Sequence, residues 1–516
     1  MTEIELKFIL DQETMRQVRE RLRQPGLDTT PPGTRNLHSV YYDTADHRLG
    51  KAGTALRLRR DGRRWTQTVK AGTTINGGLM RTHEVDNPAP GGRLDLAAIA
   101  EPALAGEICR LVGDAELAPV CETRMHRTVT ILTAPGGARV ELALDEGEII
   151  AGELSQPFRE AELELKQGHI NALFDLIGLL MPEGGLRLST LSKSARGYLL
   201  AETGDIRTAP LPRSAQPVPL DPAMTSEIAA RDILRECFAQ ITANIDVVLA
   251  TDMPEGPHQI RVGLRRLRAA FGLFRPIVGN REMQRLGTEA RALGASVGAL
   301  RDLDVLAGDL IAPAAAEYPA EPGFGILACA IDTRRDTARE ALRAELRGRR
   351  VQSFQIELAR FIETRGWLAP EDFGQTARLA RPVTETAGAA LDKRWKAVRH
   401  HARRIDTLTV EGRHELRKEL KKLRYVIEFA APLYPAREVA TFVTRMKRLQ
   451  DVFGELNDLA MAENLLCRPD SPAARDPAAQ RAVGRILGSR TVRADADWHH
   501  ARELWHAVRQ TGPFWN

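Results

Sequence analysis

In the first two hundred residues, charge recurs at every second position. Glu3, Glu5 and Lys7 alternate with Ile4, Leu6 and Phe8, and Arg57 and Arg59 with Leu56 and Leu58. Glu141 and Asp145 face away from Val140, Leu142 and Leu144, and Glu160, Glu162, Glu164 and Lys166 from Ala161, Leu163 and Leu165. A period of two is the strand period, so each charged set shares one face of an extended segment. Successive glutamates on one face repel unless a cation sits between them. Clustered carboxylates suit hard divalent cations such as Mg²⁺ or Mn²⁺, whereas same-face arginine and lysine suit phosphate. A surface carrying both has the chemistry of a metal-bridged polyphosphate site. If the sheet closes, the charged faces line a lumen and the apolar faces pack against helices.

A second pattern lies further along. HQIRVGLRRLR begins at His258 and HELRKELKKLR at His414, and one offset maps Arg261 to Arg417, Arg265 to Lys421 and Arg268 to Arg424. GALRDLDVL at 298–306 meets GELNDLAMA at 454–462 at the same offset, with Asn457 in place of Arg301; Asp302 and Asp458 read as the ends of helices. His258, Arg261, Arg265 and Arg268 share one helical face, as do His414, Arg417, Lys421 and Arg424, with leucines on another. Solubility alone does not require a matched His-x-x-Arg stripe. The shared offset predicts a duplicated helical unit, two bundles related by pseudo-symmetry.

These stripes need two kinds of scaffold. Before residue 203 the strand period dominates, with helical stretches near 12–23 and 168–181. Residues 203–222 carry Pro210, Pro212, Pro217, Pro219 and Pro222, which forbid regular structure. Beyond them only the helical period is left. The chain therefore reads as an α+β multidomain protein: a domain at 1–203, a Pro-rich linker at 204–222, and an all-α domain at 223–510 with repeats at about 223–375 and 376–510. At 516 residues, 43% hydrophobic and 27% charged, it can bury sizeable cores. No apolar run approaches a membrane span, the opening MTEIELKF lacks the pattern of a secretory signal, and five scattered cysteines suit free thiols. A cytoplasmic protein is expected. Lys plus Arg total 73 against 68 acids, a balance too mild to name a partner.

The ExExK of Glu3, Glu5 and Lys7 resembles the signature of the CYTH family, the triphosphate tunnel metalloenzymes. Further matches follow in order: YYDT at 41–44, LRLR at 56–59, TVK ending at Lys70, Glu84, Arg124 and Arg127, ALDEG at 143–147, ELELK at 162–166 and LSKSARGY at 191–198. The resemblance covers roughly residues 1–200. It implies an eight-stranded antiparallel β-tunnel with flanking helices that hydrolyses inorganic triphosphate with Mg²⁺ or Mn²⁺. By this resemblance Lys7, Arg57, Arg59, Lys70, Arg124, Arg127, Lys193 and Arg196 bind phosphates. Glu3, Glu5, Glu162, Glu164 and Asp145 hold metal, and Glu84, Asp145 and Lys7 serve the chemistry, with Glu160 and Glu141 facing the same way.

The second half resembles the CHAD domain, a conserved histidine α-helical domain, over roughly 223–510. That resemblance implies two pseudo-symmetric bundles whose basic centre binds inorganic polyphosphate through His258, Arg261, Arg265, Arg268, His414, Arg417, Lys418, Lys421 and Arg424, with Lys422 nearby. Such a protein could associate with polyphosphate granules. Two other readings stay open: a non-catalytic polyphosphate-binding protein, or a tunnel acting on thiamine triphosphate or ATP. Nucleic acid is a weaker partner for the stripes, because aromatic residues make up 5% of the chain and none in the first stripe could stack a base.

Overall fold

The computed structural model describes residues 2–24, 26–76, 78–181, 185–205, 210–471 and 473–515. It divides into two compact units: residues 1–211 with 346–366, and 212–345 with 367–516.

The first unit is built on ten antiparallel strands: β1 (Thr2–Ile9), β2 (Asp28–Thr29), β3 (Gly33–Asp43), β4 (Ala55–Asp61), β5 (Arg64–Asn76), β6 (Leu79–Pro88), β7 (Ala118–Thr133), β8 (Arg139–Ala151), β9 (Leu154–Gln167) and β10 (Arg187–Leu188). Eight pair in the order β1-β6-β5-β4-β3-β7-β8-β9, and β9 pairs back onto β1, closing the barrel. β2 and β10 add to β7 and β1. Opposite charges meet across neighbouring strands: Lys7 lies beside Glu162, Lys70 beside Glu84 and Arg127 beside Asp145. A one-residue slip would turn every one of these pairs outward, so charge and apolar pattern specify one register.

The apolar faces point outward and are covered. Leu56, Val69 and Val85 pack with Leu104, Ile108 and Val112 of the helix Pro102–Val112. One end of the interior is filled by the helix Lys193–Thr203, whose Leu200 joins Cys121, Met125, Ile149 and Phe158. Ser192 caps that helix by accepting from the Ala195 N–H, and Gly204 ends it with φ 81°. Gly197 lets it approach β7, since a Cβ there would stand 2.2 Å from the Cys121 sulfur.

The helix Arg349–Glu363, expected within the all-α domain, belongs to the barrel unit. Glu363 pairs with Arg81 of β6 at 2.7 Å, Arg360 with Asp175 at 2.9 Å, and Phe354, Leu358 and Ile362 are buried. Residues 346–366 thus pack with the barrel unit although they lie within the span 223–510 read as the helical domain. Part of the expected linker, 206–209, lies outside the described residues; 210–221 form neither helix nor strand, and Arg213 is bound to Glu236 at 2.6 Å.

The second unit is all helical and duplicated. Ser226–Ala250, Glu255–Leu273, Arg281–Val305 and Gly323–Arg347 correspond in order to Val383–His401, Val410–Ala430, Ala436–Leu466 and Pro477–Thr511. The halves exchange backbone hydrogen bonds, from the Ser226 N–H to the Arg381 carbonyl and from the Val383 N–H to the Met224 carbonyl. They also share a core in which Leu306, Phe324 and Leu327 meet Leu466, Val483 and Ile486. Among the described residues no helix is long and apolar enough to cross a membrane.

Candidate functional site

The charged faces of the barrel strands enclose a cavity of about 840 Å³. Its lining includes Glu3, Glu5, Lys7, Arg57, Arg59, Lys70, Glu84, Arg127, Glu162, Glu164 and Lys193. β4, which carries Arg57 and Arg59, lies four strands from β9 in either direction around the closed sheet, so arginines face the glutamates across the lumen.

The acids fall into two groups. Glu162 is saturated with cations: it accepts from Lys7, from Lys193 at 2.7 Å and from Arg127 at 2.6 Å. Burial opposes its charge, yet Lys193, Lys7 and Arg127 hold it well below the usual carboxylate range. Glu84 is likewise held low, at about 2, by Lys70 at 2.8 Å and Arg57 at 3.1 Å against the effect of burial. The second group is short of cations. Glu3 is pushed up to about 8 by burial and by Glu5, against the effect of Lys70 at 2.6 Å. Glu164 is raised by burial and by Glu141 and Glu5, although Lys166 lies 2.6 Å away. Glu5 has one buried oxygen that makes no hydrogen bond and lies 3.0 Å from the Lys7 ammonium, a cation it shares with Glu162. As the side chains stand, no three His, Cys, Asp or Glu groups among the described residues converge on a metal position. The donor chemistry of Glu3, Glu5 and Glu164 nevertheless fits a hard divalent cation, which would supply the charge this corner lacks.

The cations show the converse imbalance. Arg59 donates to the Ser39 hydroxyl at 3.2 Å, and burial with the nearby Arg57 and Arg127 lowers it to about 10. A guanidinium so placed is poised for an anion.

Three expected residues stand elsewhere. Asp145 is fully buried behind the lining, with both oxygens bound by Arg127 at 2.7 and 2.6 Å and Lys193 at 2.9 Å. It orients those cations and has no open face toward metal or water. Arg124 has the opposite strand parity from Arg127 and lies on the outer surface beside Glu122, so its phosphate role is withdrawn. Arg196 is buried against Glu160 and the Phe158 ring, below the cavity floor. Sequence reasoning missed Arg35, Lys51 and Tyr198 in the lining. Arg35 shares the alternation of Leu37, Ser39 and Tyr41 and was legible once β3 is drawn to Gly33. Lys51 and Tyr198 come from the short helix Arg48–Lys51 and the helix Lys193–Thr203, where no strand periodicity points to a lumen.

In the helical unit a second cationic cluster forms where Glu255–Leu273 packs on Val410–Ala430; Arg266 and Glu428 tie the two helices at 2.8 Å. Arg261 pairs with Asp302 and Arg417 with Asn457, each at 2.7 Å. Burial and the positive neighbours Arg417, Arg265, Arg424 and Arg261 push Lys421 down to about 6. His258 is lowered by burial and by Arg301, and His414 by burial and by Lys418. Arg268 instead faces Arg291, and Lys418 and Lys422 sit on the surface paired with Glu415 and Glu419. Asp458 lies inside the helix Ala436–Leu466 rather than at its end, and Asp302 serves Arg261.

A closed antiparallel barrel with this lumen, followed by duplicated helices, defines a two-domain class: residues 1–198 form a CYTH domain and residues 232–467 a CHAD domain. Among curated proteins the chain is similar to an inorganic triphosphatase of Haemophilus influenzae, 33% identical over 165 residues, which covers 32% of this chain and 46% of that protein. The chain thus spans about half the length of that relative. A Mycobacterium tuberculosis protein described as uncharacterized is 26% identical over 420 residues, covering 76% of this chain and 75% of that one. Among solved structures, the CHAD domain of the plant Ricinus communis is similar at 26% identity and a TM-score of 0.49, covering 58% of this chain and 97% of that chain.

Proposed function

We propose that the barrel hydrolyses inorganic triphosphate with a divalent cation, and that the helical unit binds inorganic polyphosphate. The observation that carries the first reading is the segregated charge of one lumen: arginines poised for anions on β4, and cation-starved acids on β1 and β9. A small, flexible polyanion satisfies both sides.

Lys7, Lys193 and Arg127 would hold phosphate oxygens, with Glu162 and Asp145 fixing their direction. Arg57 and Arg59 would bind from across the lumen and keep the chain extended, which aligns the terminal phosphorus for in-line attack. Glu3, Glu5 and Glu164 would hold the cation, which would neutralise charge on the triphosphate when bound. Glu84, an ionised acid lining the lumen, would orient a water toward the terminal phosphorus. Its low proton affinity suits positioning the water rather than drawing its proton away early. Water attacks phosphorus, the bridging P–O bond breaks, and pyrophosphate leaves with orthophosphate.

An organic triphosphate is less well served. The lining includes Tyr41, His47 and Tyr198, but Tyr198 is already bound to Asp43 at 2.8 Å and packs edge-on against His47. The test is phosphate release from inorganic triphosphate, long polyphosphate, ATP and thiamine triphosphate, each with Mg²⁺ or Mn²⁺. Preference for ATP or thiamine triphosphate over inorganic triphosphate would overturn the substrate assignment, and release unaffected by EDTA would overturn the metal.

A further inference from the structure

The two repeats meet at the helix crossing with matched but unequal residues. Arg261 and Arg417 are equivalent, as are Arg265 and Lys421. Each arginine has a polar partner: Asp302 for Arg261, Asn457 for Arg417 and the Tyr425 hydroxyl for Arg265. Lys421 differs. Among the described residues no carboxylate lies within ion-pair distance of its ammonium. It is flanked by Arg417 and Arg424 on its own helix and by Arg261 and Arg265 on the partner helix. Asp458, from the helix Ala436–Leu466, is the acid that feels it, and burial pushes that carboxyl up. Asp302, from the helix Arg281–Val305, is engaged by Arg261. His414, two turns before Lys421, is itself held low by burial and the same cations.

Burial and positive neighbours both disfavour a further charge, and a guanidinium cannot release its proton whereas an ammonium can. The groups of this cluster able to give up a proton are the Lys421 ammonium and the imidazoles of His258 and His414, and of these only the ammonium is ordinarily charged above pH 7. We propose that this cluster is a proton-linked oxyanion site: Lys421 stands neutral while the site is empty and takes up a proton when a phosphate group settles among the guanidinium groups. The inference rests on the polyphosphate reading above and adds to it a dependence on pH. An arriving phosphate supplies the negative charge that the cluster lacks, so the ammonium form becomes the favoured one. The proton comes from solvent, and nothing else changes hands.

The low proton affinity of the empty site, near 6, supports the direction. Above that pH, binding requires about one proton, and affinity falls by up to about tenfold per pH unit. The first repeat shows the natural control, because it carries Arg265 at the equivalent position. In K421R the charge is permanent, so binding persists and its pH dependence disappears.

The decisive experiment is calorimetric titration of the full chain with long-chain polyphosphate, with EDTA present to silence hydrolysis. It is run at pH 7.5 in two buffers of different ionisation enthalpy, on wild type, K421R and K421M. Any binding in the barrel contributes equally to all three proteins, so the difference isolates the helix crossing. Wild type is expected to take up close to one proton more than K421R or K421M. Between pH 6.5 and 8.5 its affinity should fall roughly tenfold per unit relative to K421R. Equal proton uptake and parallel pH profiles, with binding intact, overturn the proton link and leave the polyphosphate reading standing. Failure of wild type to bind polyphosphate at any pH in this range overturns that reading and the proposal with it.

Discussion

Glu162 is the carboxylate on which the barrel's cations converge, and replacing it with glutamine tests whether the lumen is an electrostatic unit. Its partners Lys7, Lys193 and Arg127 are 7%, 5% and 14% exposed, and Glu162 is 9% exposed. Removing one partner of a buried ion pair costs about 3–5 kcal/mol. The lower end applies here, because Lys7 keeps Glu5 at 3.0 Å and both Arg127 and Lys193 keep Asp145. At about 2–4 °C per kcal/mol for a unit of this size, E162Q should unfold roughly 6–12 °C below wild type. The effect has a sign in pH. Glu162 is held below its ordinary value of 4.5, so its contribution is complete above that value and is lost as pH falls through the folded-state value. The gap between E162Q and wild type should therefore close in acid. Triphosphate without metal should raise the variant's midpoint more than that of wild type, since an anion replaces the missing charge. Calorimetric scans at pH 7.5 and in steps downward from pH 4, with and without triphosphate, measure all three effects. An E162Q midpoint within about 2 °C of wild type at pH 7.5 would refute the view that Glu162 neutralises the cluster.

Four further outcomes follow. E164Q should lose about 100-fold or more in triphosphate hydrolysis. It should unfold no earlier than wild type, because a raised carboxyl is one whose ionised form the fold disfavours; steady-state kinetics and a melt decide it. R124A should keep full activity while R127A loses most of it, which separates the outer from the inner face of β7. A chain ending at residue 211 lacks the helix Arg349–Glu363 and should melt lower than the barrel of the intact protein, a comparison made by calorimetry. Reversing Arg265 and Lys421 together to glutamate should weaken polyphosphate binding and flatten its salt dependence, with triphosphate turnover unchanged; equal affinity in titrations at two salt concentrations would count against the cluster.

The sequence by itself determined a good deal. The period of two in Glu3–Lys7, Arg57–Arg59 and Glu160–Lys166 sufficed to place charge on one face of several strands, because strand geometry leaves no other arrangement. The constant offset between His258 and His414 likewise determined the duplication. Tertiary structure decided which of those charges matter and to whom. Alternation alone puts Arg124 and Arg127, three apart on one strand, on opposite faces, but only the pairing of β7 with β3 and β8 decides which face meets the lumen. Glu162 and Glu164 sit two residues apart on one face, yet three cations from β1, β7 and the helix Lys193–Thr203 converge on the first while the second is left with Lys166. Asp145 reads as a lumen acid until Arg127 is seen to cover both its oxygens. The helix Arg349–Glu363 joins the barrel through Arg81 and Asp175, partners far away in the chain that no local pattern announces. Alternation and repetition are properties of neighbouring residues and survive in the linear order; the balance of charge around a buried group is a sum over distant residues, and it exists only once the chain has closed around it.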